Sequence, residues 1–234
     1  TGMELEVVSG EGGDEDDILI ESLPEDTYDT GKEGYLLKAD DGGIHISSNG
    51  YTGCLYGTKT LEQVYYTQDG TYSFPKGVTR DFSQYEVRGV MIDIARVPYR
   101  LDALKDIVKT FSFYKINEVH FHLNDNRHSG ATTGREDYNN WKNYKGMFRL
   151  ESKTFPSLKT DPQQNAYYND ENGAYGGEPQ YTAEEYKDLQ QFAMDCGMNP
   201  ISEIDAPGHS LLFNRYVRNN IEEIRKVQGF ENMP

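Results

Sequence analysis

Cysteine is scarce in this sequence. The 234 residues include two cysteines, Cys54 and Cys196, which lie far apart and have no metal-ligand spacing. Disulfide-stabilised domains and cysteine-based zinc sites both need more cysteines at closer spacing. We therefore expect neither a disulfide framework nor a zinc site, and we expect both thiols to be reduced.

Basic residues and long apolar runs are also few. Lys and Arg number 23 against 39 Asp and Glu, which gives a formal net charge of −16. Such a surface repels phosphate backbones, so we expect no nucleic-acid partner. No stretch reaches the roughly 18–20 apolar residues that a membrane span needs, and the first residues are not a basic region followed by an apolar run. We therefore expect no membrane partner.

Aromatic residues are abundant, with 18 Tyr and 10 Phe. Their flat, partly polar surfaces suit sugar binding as well as core packing. Composition therefore allows a carbohydrate-binding protein without requiring one.

The first 85 residues are predicted to form a small α+β domain. The run "ILIES" has strand length, and "GYLLKADDGGIHISSNG" contains two β-type segments around an Asp- and Gly-rich turn that is typical of a hairpin. Leu55, Leu61 and Val64 follow at helix-like spacing. Strands and a helix in this order indicate an α+β unit.

From Glu86 onward, strands and helices alternate, which predicts an α/β fold with a parallel sheet. The strands are "VRGVMIDIA", which we expect to be buried on both faces, "INEVHFHL" and "MNPISEI". The first helix is "RLDALKDIVKTFSFY", which is amphipathic. The second is "TAEEYKDLQQFAMDCG", in which Thr182 and Glu185 form a capping box and Gly197 is the C-cap glycine. "EEIRKV" begins a further helix. Residues 124–180 lie between the second strand and its helix and are predicted to be a long loop that is either functional or disordered.

Polar side chains follow each of the three predicted parallel strands. They are Asp93 and Arg96 after the first, Asn124, Asp125 and Asn126 after the second, and Glu203, Asp205 and His209 after the third. In an α/β barrel, the carboxyl ends of the strands form the active site. Some polar residues here also have a local structural explanation. Asp125 and Asn126 could cap a turn, and His209 could be a polar group within the rigid loop "APGH". Arg88, at the start of the first strand, could simply pair with an acid. The convergence of the polar side chains at the strand ends favours a functional site.

"HFH", His120 to His122, places two imidazoles on one face of a strand, as in metal-dependent amidohydrolases. In that fold the pair lies on the first barrel strand, whereas here a strand and a helix precede it. A metal-dependent TIM-barrel hydrolase therefore remains an alternative, and we expect no metal and no organic cofactor.

Four ordered segments resemble glycoside hydrolase family 20, the β-N-acetylhexosaminidases and lacto-N-biosidases. They are "ISSNGYTGCLYGTKTLEQV", "RGVMIDIAR", "YKINEVHFHLNDN" and "YTAEEYKDLQQFAMDCGMNPISEIDAPGHS". The resemblance implies a partial (β/α)8 TIM barrel, about its first three βα units, preceded by a small α+β domain. We therefore expect residues 1–85 to form the small domain and residues 86–234 the amino-terminal part of the catalytic barrel.

The resemblance also implies retaining, substrate-assisted hydrolysis of terminal β-linked N-acetylhexosamine. In this family the sugar's 2-acetamido oxygen attacks C1, an aspartate polarises the acetamido group, and the adjacent glutamate protonates the leaving oxygen. Carried over by motif, Asp125 and His209 are the catalytic relay that contacts this general acid, and Arg88 holds sugar hydroxyls. The other expected substrate-binding residues are Asp93, Glu203 and Asp205.

The sequence departs from the family pattern in two ways. The family's Asp-Glu pair follows the fourth barrel strand, and we expect it beyond residue 234, so the chain alone is predicted to be inactive. "NDNRHSG" replaces the "DDQGWR" of many family members, which favours the lacto-N-biosidase branch as an alternative. A non-catalytic carbohydrate-binding fragment is a further alternative. The expected partners are an N-acetylhexosamine-containing glycan and the rest of the barrel or a second copy of the chain. By analogy, the location is extracellular or at the cell surface.

Overall fold

The computed structural model describes residues 6, 8–10, 17–68, 71–128, 144–160 and 179–233. The chain divides into two compact units, Thr1–Glu86 with Phe113–Lys115, and Val87–Ser112 with Ile116–Pro234. Cys54 and Cys196 are both free. In the described parts of the chain, we find no helix with the length and apolar character required to cross a membrane.

The first unit contains a four-stranded sheet in the order β1-β3-β2-β6 and a helix that packs against it. The strands are β1 (Ile18–Ser22), β2 (Tyr35–Asp40), β3 (Gly43–Ser48) and β6 (Gly77–Asp81), and the helix is α1 (Tyr51–Val64). Strands β4 (Tyr66–Gln68) and β5 (Thr71–Ser73) pair antiparallel and form a separate two-stranded sheet. The predicted hairpin is present, since β2 and β3 pair antiparallel and Gly43 adopts a φ of 101° at the turn. The buried core of the first unit consists of Tyr35, Leu37, Ile46, Tyr56 and Leu61.

The second unit is built on a parallel three-stranded sheet in the order β11-β8-β7. Its strands are β7 (Gly89–Asp93), β8 (Glu118–His122) and β11 (Asn199–Glu203), and its helices are α2 (Leu101–Phe113), α3 (Ala183–Asp195), α4 (Leu211–Asn219) and α5 (Ile221–Ile224). The two long helices agree with their amphipathic patterns. The capping box at α3 is present: Thr182 Oγ1 accepts from the Glu185 amide at 3.1 Å, and Glu185 accepts from the Thr182 amide at 2.8 Å.

One face of this sheet packs on the helices. Ile92, Val119 and Phe121 point to that face and share a core with Leu104 and Leu189. The expectation that the first strand is buried on both faces is wrong, because Met91 is 57 % exposed. Met91 lies on the sheet face opposite the helices, and the described residues leave its side chain largely uncovered there.

The predicted loop over residues 124–180 contains regular structure. Asn124–His128 forms strand β9, which pairs antiparallel with β10 (Tyr144–Phe148). The loop prediction is therefore wrong at these residues, and cross-strand pairing explains the strand despite its polar sequence. Residues 129–143 and 161–178 of the predicted loop lie outside the described part of the chain.

Candidate active site

The last residues of the three parallel strands form a polar row. Asp93 pairs in register with His122, and His122 pairs in register with Glu203. Neighbouring strands lie about 4.8 Å apart, and residues in register on adjacent strands point to the same face. The row therefore lies on the sheet face opposite the helices, at the carboxyl ends of the strands.

Asp125, three residues after His122, accepts three hydrogen bonds and forms one ion pair. Its Oδ1 accepts from the Asn126 amide at 2.5 Å and from His209 Nδ1 at 2.6 Å. Its Oδ2 accepts from His122 Nε2 at 2.6 Å and lies 2.6 Å from Arg96 Nη2. Each carboxylate oxygen therefore has two partners, and the ionised group acts only as an acceptor.

The environment of Asp125 keeps it ionised. The side chain is 1 % exposed. Burial by itself raises the pKa of the carboxyl, but the hydrogen bonds from Asn126, His122 and His209 and the charge of Arg96 outweigh it, and the pKa is lowered. The site therefore contains a buried negative charge whose position is fixed from four directions.

His122 lies between two carboxylates. Its Nε2 contacts Asp125, and its Nδ1 lies 2.8 Å from Glu203 Oε2. Burial lowers the pKa of the imidazole, but the hydrogen bonds to Asp125 and Glu203 outweigh burial, and the pKa is raised. His120 Nε2 lies 2.9 Å from the same Glu203 oxygen without hydrogen-bond geometry.

Arg96 joins the first strand end to the second. Its Nη1 bonds Asp93 Oδ2 at 2.5 Å, and its Nη2 contacts Asp125 at 2.6 Å. Asp93, His122 and Asp125 also bring possible metal-ligand atoms within 4.8 Å of one another. The guanidinium already contacts both carboxylates of this group, so a metal ion would have to displace a cation that is in place.

The loop after β11 places His209 over this network. Asn124 is buried and spans the loop: its Oδ1 accepts from the Asp205 amide at 2.8 Å, and its Nδ2 donates to the carbonyls of Asp205 and His209 at 3.0 Å each. His209 adopts a φ of 50°, in the left-handed region that non-glycine residues seldom occupy. Ser210 Oγ donates to the Pro207 carbonyl at 2.7 Å. These contacts hold the loop conformation that directs the imidazole towards Asp125.

The contact with Asp125 determines which ring nitrogen of neutral His209 carries the proton. Its Nδ1 bond to the ionised Asp125 requires a proton on Nδ1, so the neutral ring presents the lone pair of Nε2. The side chain is 50 % exposed, and Nε2 lies 4.0 Å from Asp205 Oδ2. An imidazole fixed in one tautomer by a buried carboxylate can accept or stabilise a proton on a neighbouring acid.

The structure does not bring the backbone of Arg88 to this network. The Arg88 amide donates to Asn117 Oδ1 at 2.8 Å, and the Asn117 amide donates to the Arg88 carbonyl at 3.1 Å, before β7 and β8 begin. Five residues of extended chain, roughly 16 Å, separate Arg88 from Asp93. Sugar binding by Arg88 therefore stays a prediction, whereas Asp93, Asp125, Glu203, Asp205 and His209 lie around one site.

Sequence reasoning gave no role to Arg149, which lies directly after β10 and is 1 % exposed. Its Nε donates to the Ala95 carbonyl and its Nη1 to the Pro179 carbonyl, each at 2.9 Å. Burial lowers its pKa to about 10. Arg149 therefore joins the segment after β7 to the segment before α3. Its place inside the apolar run "MFRL" was the available signal.

Two family models match this chain. "Glycosyl hydrolase family 20, domain 2" matches residues 1–82. "Glycosyl hydrolase family 20, catalytic domain" matches residues 85–129 and 144–230, which is more than half of the chain. The second match includes every residue of the network around Asp125.

Curated relatives are similar over most of this chain. A protein named beta-hexosaminidase from Vibrio furnissii is 28% identical over 201 residues, which are 83% of this chain and 29% of the relative. A beta-hexosaminidase from Akkermansia muciniphila is 31% identical over 179 residues, which are 76% of this chain and 32% of the relative. The chain thus spans about a third of the length of these relatives.

Solved structures give the same match. The Streptomyces plicatus N-acetyl-beta-hexosaminidase in complex with Thio-NAglucal superposes with a TM-score of 0.63 at 25% identity, over 84% of this chain and 35% of that one. An exo beta-N-acetylglucosaminidase from Vibrio harveyi, at 24% identity and a TM-score of 0.64, shows the fold over 86% of this chain and 29% of its own. The α/β architecture of this chain is therefore similar to that of known hexosaminidases.

Proposed function

Because the chain belongs to glycosyl hydrolase family 20, we propose that it forms part of an enzyme that hydrolyses terminal β-linked N-acetylhexosamine with retention of configuration. The relatives named beta-hexosaminidases support this substrate class. The observation that carries the proposal is the 2.6 Å bond between His209 Nδ1 and the buried Asp125, at the carboxyl ends of parallel strands.

We propose that residues 86–234 form the first three βα units of a (β/α)8 barrel. In the sequence, a small α+β domain of residues 1–85 precedes them. The order β7-α2-β8-α3-β11-α4 supports it, because each parallel strand is followed by a helix and successive strands are neighbours. The row of Asp93, His122 and Glu203 would then face the interior of the barrel mouth, where a sugar binds.

In the proposed mechanism, the 2-acetamido oxygen of the substrate attacks C1 and forms an oxazolinium ion. His209, with Asp125 fixing its tautomer, interacts with the glutamate that protonates the leaving oxygen. That glutamate and the adjacent aspartate belong after a fourth strand, beyond residue 234, and Arg88 is proposed to bind sugar hydroxyls. The glycan partner and an extracellular or cell-surface location also remain proposals.

The substrate class is tested by comparing an aryl N-acetyl-β-glucosaminide with the matching aryl β-glucoside. The enzyme used is a protein that continues from this chain through the Asp-Glu pair. If the acetamido group is the nucleophile, the first substrate is hydrolysed and the second is not. Comparable hydrolysis of both would contradict substrate assistance. The chain without the pair is expected to hydrolyse neither, and clear turnover by it would refute the placement of the general acid.

The lacto-N-biosidase alternative rests on "NDNRHSG", of which residues 129 and 130 lie outside the described part of the chain. A lacto-N-biosidase would release a disaccharide, whereas a hexosaminidase would release a monosaccharide, so the product size distinguishes them. A non-catalytic carbohydrate-binding protein would bind N-acetylhexosamine glycans without releasing either product.

A further inference from the structure

His122 has no role in the proposed relay, yet it is 6 % exposed and contacts the carboxylate on which the relay depends. It is the last residue of the central strand β8, with Asp93 and Glu203 in register on either side. The fold therefore places an imidazole between acidic residues at the centre of the site.

The two contacts of His122 define its protonation. A neutral imidazole donates from one ring nitrogen and accepts at the other. Here both nitrogens face carboxylate oxygens, at 2.6 Å in Asp125 and 2.8 Å in Glu203. Both contacts are hydrogen bonds if the ring carries two protons. The raised pKa of His122 and the lowered pKa of Asp125 both favour the proton on the ring.

The charges around His122 agree with an imidazolium. Three carboxylates face it: Asp125 and Glu203 by direct contact, and Asp93 through its charge. Arg96 contacts Asp93 and Asp125, and the charge of Arg149 also acts on Asp93. Two other imidazoles lie near: His120, 2.9 Å from the same Glu203 oxygen, and His209, whose ring centroid lies 6.4 Å away. A positive charge at His122 adds to the two arginines and partly offsets the excess of carboxylates.

We propose that His122 is a positioning residue: as an imidazolium bound by Glu203, it holds Asp125 in the orientation in which Asp125 accepts the Nδ1 proton of His209. The Nε2 proton of His122 is hydrogen-bonded to Oδ2 of Asp125, so Oδ1 of Asp125 stays directed at His209. Without this donor, Oδ2 keeps only its ion pair with the partly exposed Arg96, so the carboxylate can rotate more freely and neutral His209 can carry its proton on either nitrogen. The inference deepens the proposed function and rests on it for its catalytic consequence.

The first test needs no substrate. In the chain labelled with ¹⁵N-histidine, NMR reports which ring nitrogens carry protons. Because the pKa of His122 is raised from its ordinary value of 6.5, we expect both of its ring nitrogens to be protonated at pH 6.5 in most molecules. We expect neutral His209 to be the Nδ1–H tautomer. Glu203→Gln removes one carboxylate charge, so His122 should lose its second proton at lower pH. A native His122 that is neutral at pH 6.5, or one unaffected by Glu203→Gln, would overturn the proposal.

Substitution of His122 tests the positioning step. His122→Phe should convert neutral His209 from one tautomer to a mixture, and His122→Gln, whose amide can donate to Asp125, should restore the Nδ1–H form. His45→Phe is the matched control, because His45 lies in the other unit beside Glu21 and should leave the tautomer unchanged. A single Nδ1–H tautomer in folded His122→Phe would refute the role. If His122→Phe does not fold, the Gln variant and the Glu203→Gln titration still decide.

The catalytic consequence is measured in the protein that includes the Asp-Glu pair. His122→Phe should lower kcat at least about tenfold, because it removes part of the rate enhancement that acid–base catalysis supplies. KM should stay nearly unchanged. His122→Gln should recover most of the loss, and equal losses in both variants would contradict positioning. If the parent protein does not hydrolyse hexosaminides, the proposed function fails, while the NMR result still accepts or rejects the His122 arrangement.

Discussion

Asp125→Asn is the substitution that most directly perturbs the buried network. Asparagine has nearly the same shape, but its amide nitrogen cannot accept a hydrogen bond. If the amide oxygen replaces Oδ1, the donors Arg96 and His122 lose their acceptor. If it replaces Oδ2, the amide of Asn126 and the ring of His209 lose theirs. Either orientation therefore leaves two donors facing an NH₂ group.

The size of the effect follows from the burial of those donors. A hydrogen bond to a charged group contributes about 1.5–3 kcal/mol, so two such bonds give about 3–6 kcal/mol. Arg96 is 41% exposed and can bond water instead. His122 can release its Nε2 proton, accept from the new amide and keep its Nδ1 bond to Glu203. Because Arg96 and His122 can find these other partners, we expect the free energy of unfolding to fall by about 2–3 kcal/mol, at or below the lower end of that range.

Urea unfolding of the chain, followed by circular dichroism, measures this loss. With a urea dependence of about 2–3 kcal/mol per M, the midpoint of the affected unit should fall by about 1 M. Asp188→Asn is the matched control, because Asp188 is 60% exposed and pairs with Lys105 at the surface. Surface pairs contribute about 0–1 kcal/mol, so its midpoint should barely move. Equal shifts in both variants would refute the account in which four partners hold Asp125.

Three further predictions concern the same unit. Asn124→Ala removes three hydrogen bonds to the loop after β11. It should destabilise the unit by about 2–4 kcal/mol in the same urea assay. A loss below about 1 kcal/mol would show that contacts other than those of Asn124 hold the loop. Gly146→Ala should lower the free energy of unfolding by about 1–3 kcal/mol, because its Cβ would lie 2.2 Å from the Leu212 amide nitrogen. Gly208→Ala is the control, because its Cβ would meet nothing within 4 Å. Equal effects of the two substitutions would contradict the close approach of β10 and α4. The stabilisation from the raised pKa of His122 is fully present below pH 6.5 and is lost as the pH rises through its folded-state pKa, so the urea midpoint should fall there in the native chain and not in His122→Gln.

The sequence predicted the elements whose signals are local. Helix α3 has its capping box at Thr182 and its positive-φ Gly197, and α2 has a continuous apolar stripe, so both could be located without tertiary information. The first helix after β11, Leu211–Asn219, was not predicted. Strand β9 was missed because "NDNRH" has the composition of a loop, and its pairing with residues 144–148 is a long-range contact.

The candidate site could be predicted in part for a related reason. Polar residues at the ends of parallel strands indicated Asp125 and His209, because strand direction alone brings such ends together. The role of His122 depends on register, which decides that its ring lies between Asp93 and Glu203. By itself "HFH" is also typical of a metal site, since the sequence does not show that Arg96 contacts the neighbouring carboxylates.

The most direct test of the central claim is kcat for an aryl N-acetyl-β-glucosaminide, measured for His209→Ala and the native sequence in the protein that includes the Asp-Glu pair. If His209 and Asp125 act on the general acid, kcat should fall by about ten- to a thousandfold in a variant that remains folded. Arg88→Ala should instead mainly raise KM, since it removes a charged donor to the sugar. Native activity in His209→Ala would contradict the relay.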